Sequence, residues 1–345
     1  MSRVLVTGGG GYIGSVLVPL LLEEGHDVKV VDRFFFGRDR LPDHPRLEAE
    51  FRDTRHLKAG DFEGFNAVID LAALSNDPSG ELFQEATWAI NHRGRVRCAQ
   101  MAKTSGVERY ILPSTCSVYG FQDADHISDE TSNTNPLTTY ARANLAAEEG
   151  VLELADRSFC AVVLRQATVY GLSPRMRFDL AINGMTFGAW KTGKLPLMRD
   201  GSQWRPMVHV RDTSEAQIFM LTAEQDHVSG QVFNVGSEEN VYQIGPLGEL
   251  VASTVPGDVE IEWYGDPDHR SYRVAFEKIE SIGWKAQRNA SDGVAEVVAA
   301  LEAGKVDRTP DTITLDWYQM LARFHRILDE VLIDGAFLDL PAGQQ

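Results

Sequence analysis

The sequence predicts an α/β protein built on a doubly wound, mostly parallel sheet, with a smaller and less regular part interleaved toward its C-terminal end. Three observations lead to this. Short apolar strands alternate with helical stretches as far as Gln166. The first strand runs through a glycine-rich turn into a helix, and the second ends in a carboxylate.

Val4, Leu5 and Val6 read as a strand buried on both faces. Four glycines follow, Gly8 to Gly11, and a helical pattern begins with Tyr12, Ile13 and Gly14. Gly9, Gly11 and Gly14 fit G-x-G-x-x-G, and Gly8, Gly11 and Gly14 fit G-x-x-G-x-x-G. Glycine lets the backbone turn tightly and approach a pyrophosphate, and the helix start offers free N–H groups. Asp27 to Asp32 is the second strand, and Asp32 stands 18 residues beyond Gly14, where a ribose-binding carboxylate belongs. That carboxylate favours NAD over NADP, whereas Arg33 beside it is a residue type that accommodates a 2′-phosphate.

The chain then runs through a basic, aromatic loop, Arg33 to Arg40, in which Phe34, Phe35 and Phe36 either pack on adenine or cap the sheet. Arg46 to Phe51 is the third strand, followed by Asp53, placed either to accept from the adenine amino group or in solvent. Ala67 to Ala73 is the fourth, and its small end, Leu71, Ala72 and Ala73, lets a cofactor approach the backbone. Leu74 to Pro78 forms a loop above the site, with Ser75 in it. Gln84 to Ser105 is helical, and Asn91 within it reaches a backbone or is exposed. Arg109 to Thr115 and Cys160 to Gln166 are strands five and six, separated by a helix over Leu137 to Ala155. Gln231 to Gly236 returns to the sheet, and Leu315 to Leu332 is a C-terminal helix.

Composition narrows the function classes. The chain has 345 residues, 43% hydrophobic and 24% charged, with net charge −17. That charge argues against a broad nucleic-acid surface. No apolar run approaches the ~20 residues of a membrane span, and no secretory signal is visible. Cys98, Cys116 and Cys160 are too few and scattered for a disulfide framework, and the nine histidines lack metal-binding spacing. The expectation is a cytoplasmic protein without a metal.

Two stretches carry the chemistry: Pro113 to Gly120, and Tyr140-Ala141-Arg142-Ala143-Asn144. Residues four apart share a helix face. A tyrosine with a lysine at that spacing is an acid/base pair, because the cation stabilises a phenolate whose parent titrates near ~10.

With these residues the chain resembles an extended short-chain dehydrogenase/reductase of the NAD-dependent epimerase/dehydratase kind. The matching pieces are Thr7 to Gly14, Asp32, Asp53, Leu71 to Ala73, Ser114 to Gly120, Tyr140, Leu164-Arg165 with Val169 to Gly171, and His209 to Asp212. The resemblance implies a Rossmann-type NAD domain over 1–170, a substrate-binding part over 171–310 and a C-terminal helix and tail over 311–345. It implies Thr115 and Tyr140 as catalytic residues, and Gly8, Gly11, Tyr12, Ile13, Gly14, Asp32, Arg33, Asp53, Leu71, Ala72, Ala73 and again Tyr140 as cofactor contacts. Asn144 stands where the family has lysine, so it takes that catalytic and cofactor position without a charge, and Arg142 and Lys194 are candidate substitutes. Ser75, Thr115, Cys116, Ser117, Asn183, Arg205 and Arg270 are implied to contact a nucleotide-diphosphate sugar, the two arginines at its diphosphate. Cys116 is also readable as a small buried side chain.

Dehydratases of this family follow the catalytic Ser/Thr with an Asp-Glu pair, here Cys116 and Ser117, which disfavours 4,6-dehydration. The implied activity is epimerisation of a nucleotide sugar through a transient keto sugar. The alternatives are reduction of a 4-keto nucleotide sugar, or a catalytically impaired relative that still binds. The helices at 84–105 and 137–155 resemble those that pair in dimers, so a homodimer is implied.

Overall fold

A computed structural model describes residues 1–122, 126–266 and 271–332. Its centre is a seven-stranded sheet. The strands are β1 (Arg3–Thr7), β2 (Asp27–Asp32), β3 (Leu47–Phe51), β4 (Ala67–Asp70), β5 (Arg109–Thr115), β6 (Cys160–Gln166) and β7 (Gln231–Val235). They lie in the order β7-β6-β5-β4-β1-β2-β3, every neighbouring pair parallel. The order reverses between β1 and β4, which opens a crevice above their carboxyl ends.

Strand periodicity explains why both faces are dry. Val4 and Val6 join Leu17 and Leu21 of the helix Gly14–Glu23 on one face. Leu5, Val68 and Val163 point the other way, onto Ala99 and Ala147 of the helices Arg95–Thr104 and Thr139–Leu152. The helix expected over Gln84 to Ser105 is one path with a π-helical middle, Trp88–Gly94. Asn91 in that middle is buried and clamps the loop above the crevice, since Leu74 N–H donates to its Oδ1 and its Nδ2 donates to the Leu74 carbonyl, both at 2.9 Å.

The segment after Tyr170 builds its own small core around Ile182, Leu195, Leu197, Met207, Leu247 and Val251. Three short strands, Thr168–Tyr170, Trp204–His209 and Val241–Gln243, form its sheet. β7 then returns to pair with β6, as expected from the sequence. The C-terminal helix, Thr314–Val331, reaches the crevice through Tyr318. Trp317 donates to the Phe35 carbonyl at 2.6 Å, and the Tyr318 ring packs on Phe35 and Phe36. Of the three phenylalanines, Phe34 is the buried one, at φ +48°. Among the described residues no helix is long and apolar enough to cross a membrane, and no cluster of His, Cys, Asp or Glu is arranged to hold a metal.

Candidate active site

The crevice is a cleft of about 710 Å³, within the range of small-molecule sites. Its floor is the glycine turn. Gly8 adopts φ +68°, and a Cβ there would lie 2.7 Å from the Ala72 nitrogen and the Leu71 carbonyl carbon. A Cβ on Gly14 would lie 2.5 Å from Gly9 Cα. These contacts draw β1, β4 and the first helix together; that helix starts without a side-chain cap, Ser15 and Val16 N–H turn back to the Gly11 and Ile13 carbonyls, and Tyr12, Ile13 and Gly14 at its start line the cleft. Gly8, Gly11, Tyr12, Ile13 and Gly14 all face the cleft, as do Leu71, Ala72 and Ala73. The cradle fits a dinucleotide pyrophosphate.

At the far end of that cradle Asp32 accepts from Gly10 N–H at 2.9 Å and Phe34 N–H at 2.7 Å. Burial raises its carboxyl above the usual range, against these backbone donors. Phe34's positive φ is thus held by the same carboxylate that lines the cleft. Arg33 lines the cleft, stacking on Phe35 and reaching Asp53 at 3.4 Å. Asp53 is gripped more tightly by Arg55, at 2.9 and 2.7 Å, which holds its carboxyl down to about 2.

Thr115, at the end of β5, and Tyr140, in the first turn of the helix Thr139–Leu152, meet across the cleft. Thr138 caps that helix, its hydroxyl accepting from Ala141 N–H at 3.1 Å, and this fixes where the Tyr140 ring enters. Ser114 donates to buried Glu148, which takes a paired contact from Arg165 at 3.0 and 2.8 Å, so the β5 end is anchored to the same helix. Thr115 donates to Ser117 Oγ at 3.0 Å, and both line the cleft. Burial raises the Tyr140 phenol above its ordinary value; Arg95 is the strongest opposing influence, Asp77 adds to the rise, and Thr115 and Arg177 oppose it.

Several expectations need correcting. Cys116 is fully buried, off the cleft wall, with its thiol on the Arg165 carbonyl; burial pushes that thiol up, so it is neither a substrate contact nor a nucleophile. Asn183 is likewise buried, and its amide is used within the protein: Oδ1 accepts from Gly171 N–H at 2.9 Å, and Nδ2 donates to Tyr12 Oη and the Arg177 carbonyl, each at 3.0 Å. It shapes the wall without touching its contents. Arg142 is exposed on the Leu137 carbonyl, and Lys194 is exposed on Glu262, so neither serves Tyr140. Arg270 lies outside the described residues.

Asn144 does line the cleft, yet its amide is engaged on both sides, accepting from Arg95 Nη1 at 2.8 Å and donating to the Tyr140 carbonyl at 2.8 Å. Ser75 is tied to Arg177, whose guanidinium pairs with Asp179 at 2.6 Å. Arg205 reaches the cleft from the strand Trp204–His209, its guanidinium 5.6 Å from the Tyr272 ring. The sequence reading assigned no role to Arg95, Tyr272 and Tyr318, which are also on the cleft wall, together with Arg175 and Arg177.

Known proteins resemble this chain in sequence and in fold. The family model described as "NAD dependent epimerase/dehydratase family" matches residues 4–236. A UDP-glucose 4-epimerase of Corynebacterium glutamicum is 27% identical over 89% of this chain and 98% of its own length. A dTDP-D-glucose 4,6-dehydratase of Mus musculus is 28% identical over 86% of this chain and 88% of its own. Among solved structures, MoeE5 in complex with UDP-glucuronic acid and NAD superposes with a TM-score of 0.77 at 27% identity, covering 88% of this chain and 99% of that one.

Proposed function

The chain belongs to the NAD dependent epimerase/dehydratase family, with NAD as its cofactor, and from that premise we propose that it is a nucleotide-sugar epimerase working through a transient keto sugar. The observation that carries the proposal is the meeting of Thr115 and Tyr140 beside the glycine cradle, with no carboxylate at positions 116 and 117. NAD, when bound, supplies a hydride acceptor that can return the hydride to either face of the sugar.

The chain's own residues supply the rest. Thr115 holds the sugar hydroxyl that is oxidised, and Tyr140 Oη takes its proton. Asp32 receives the adenosine ribose hydroxyls, and the helix N-terminus faces the pyrophosphate. Arg205 approaches the nucleotide diphosphate, for which its planar fork is suited. Elimination would need an acid and base beside Thr115, whereas Cys116 is turned into the core and Ser117 carries only a hydroxyl. Three buried free thiols fit a cytoplasmic setting, and a homodimer through the helices at 84–105 and 139–152 is part of the proposal.

Mass spectrometry of small molecules released on denaturing the purified protein tests the reading. The expected result is NAD with a nucleotide sugar, and turnover of UDP-sugars without net change in nicotinamide absorbance. Stoichiometric consumption of reduced cofactor would replace the epimerase by a ketone reductase.

A further inference from the structure

Asn144 leaves Tyr140 without a cation one turn along its own helix, yet the cleft contains one. Arg95 opens the neighbouring helix and is only 3% exposed. Its Nη1 donates to Asn144 Oδ1 at 2.8 Å, and its Nη2 to the Asp70 carbonyl at 2.9 Å. Asn144 Nδ2 in turn donates to the Tyr140 carbonyl at 2.8 Å. We propose that Arg95 is the positioning cation of the proton transfer, its guanidinium held by Asn144 and standing in for the lysine that the family motif places at 144.

The two positions make chemical sense only together. An amide oxygen at 144 is the acceptor that a buried guanidinium requires, and a lysine there would present a second cation to the first. A guanidinium keeps its proton throughout the working range, so the charge beside Tyr140 is permanent. Asp70 balances part of it, its Oδ2 being 4.0 Å from Arg95 Nε. Asp70 is itself engaged by the hydroxyls of Thr7, on Oδ1, and Tyr110, on Oδ2. Arg95 Nε has no hydrogen-bond partner, so the ion pair is loose and the guanidinium, which lines the cleft, is held through its Nη atoms. The other charges acting on Tyr140 are Asp77, which opposes the phenolate, and Arg177, which favours it while paired with Asp179.

This proposal rests on the reading of Tyr140 as the base, and the test separates the two. The phenol of Tyr140 is titrated by ultraviolet difference absorbance, each protein being compared with the same background carrying Tyr140→Phe. We expect Arg95→Met to move the midpoint upward by about one pH unit or more, a tenfold or larger loss of phenolate near neutrality. The acid limb of the kcat profile should move with it, and Asn144→Lys added to Arg95→Met should bring both back. An unmoved midpoint in an Arg95→Met protein that still binds NAD, or a folded double variant without rescue, overturns the proposal. Should Arg95→Met fail to fold, Asp70→Asn/Arg95→Met removes the orphaned carboxylate and is judged by the same midpoint. Full turnover in Tyr140→Phe would instead sink the assignment of the base, leaving the titration result standing.

Discussion

Asn144→Lys restores the family motif, and judged by the motif alone it should raise turnover. The structure argues the reverse. The new ammonium would enter a space where Arg95 Nη1 now lies 2.8 Å from the residue-144 side chain. Two unit charges 4 Å apart repel by about 4 kcal/mol at the effective dielectric of such sites. The lysine can escape by losing its proton, but a fall of ~3 pH units from its usual ~10.4 costs about 4 kcal/mol as well. A loss of about 3–4 kcal/mol at pH 7 is therefore expected, with turnover unchanged or lower. The pH dependence has a definite sign. A lysine depressed in the folded state binds fewer protons than in the unfolded state, so stability rises with pH until ~10.4. Urea unfolding of the parent and variant at pH 7 and pH 9.5 reads this directly, and the deficit should shrink at the higher pH. A variant as stable as its parent at pH 7, and faster, would refute the contact between residues 95 and 144.

Three further outcomes are expected. Gly8→Ala should cost roughly 2–4 kcal/mol, from a left-handed alanine and a Cβ 2.7 Å from the backbone of β4's end, and should weaken NAD binding in a fluorescence titration; a loss below about 1 kcal/mol would count against the close approach. Arg205→Ala should raise KM for a nucleotide sugar by roughly tenfold or more, the value of a lost charge-assisted contact, while leaving NAD affinity intact, and parallel loss of both would indicate misfolding instead. The Arg55 pair holds the Asp53 carboxyl near 2, so its contribution is complete above the unfolded value of ~3.9 and is lost as pH falls through about 2. Both partners are partly exposed, so Asp53→Asn should cost roughly 1–2 kcal/mol at neutral pH and flatten the acid side of the stability curve, which urea midpoints between pH 2 and pH 6 would show.

The sheet was legible because its central strands β1, β4 and β6 carry apolar runs, and β6 spans the six-strand pattern's last run without a residue's difference. Thr115, Tyr140 and Asp32 were legible because each sits at a strand end or helix start that local pattern marks. Asn183 was not, since its partners Tyr12 and Gly171 are brought to it only by folding. Arg95 was half legible. Asn91, Arg95, Cys98, Ala99 and Ala102 share one helical face, so a cation on an otherwise uncharged, buried stripe was there to be read. What it touches was hidden, because Asn144 belongs to a different helix far along the chain.

The late return of β7 has a consequence for how this chain comes off the ribosome. Until the whole stretch from Ala167 to Gly230 has been made, β6 is an open edge with its apolar backbone run unpaired. Once β7 arrives, Asn234 within it accepts from the Tyr119 hydroxyl at 2.8 Å, tying the last strand to the turn that follows Thr115. The catalytic edge of the sheet is thus completed by a strand that is synthesised only after the first stretch of the substrate-binding part. Nascent chains halted before Gln231 should be bound by chaperones and open to proteases, and the finished protein should melt as one cooperative unit, its two parts being unable to unfold separately without breaking the same sheet.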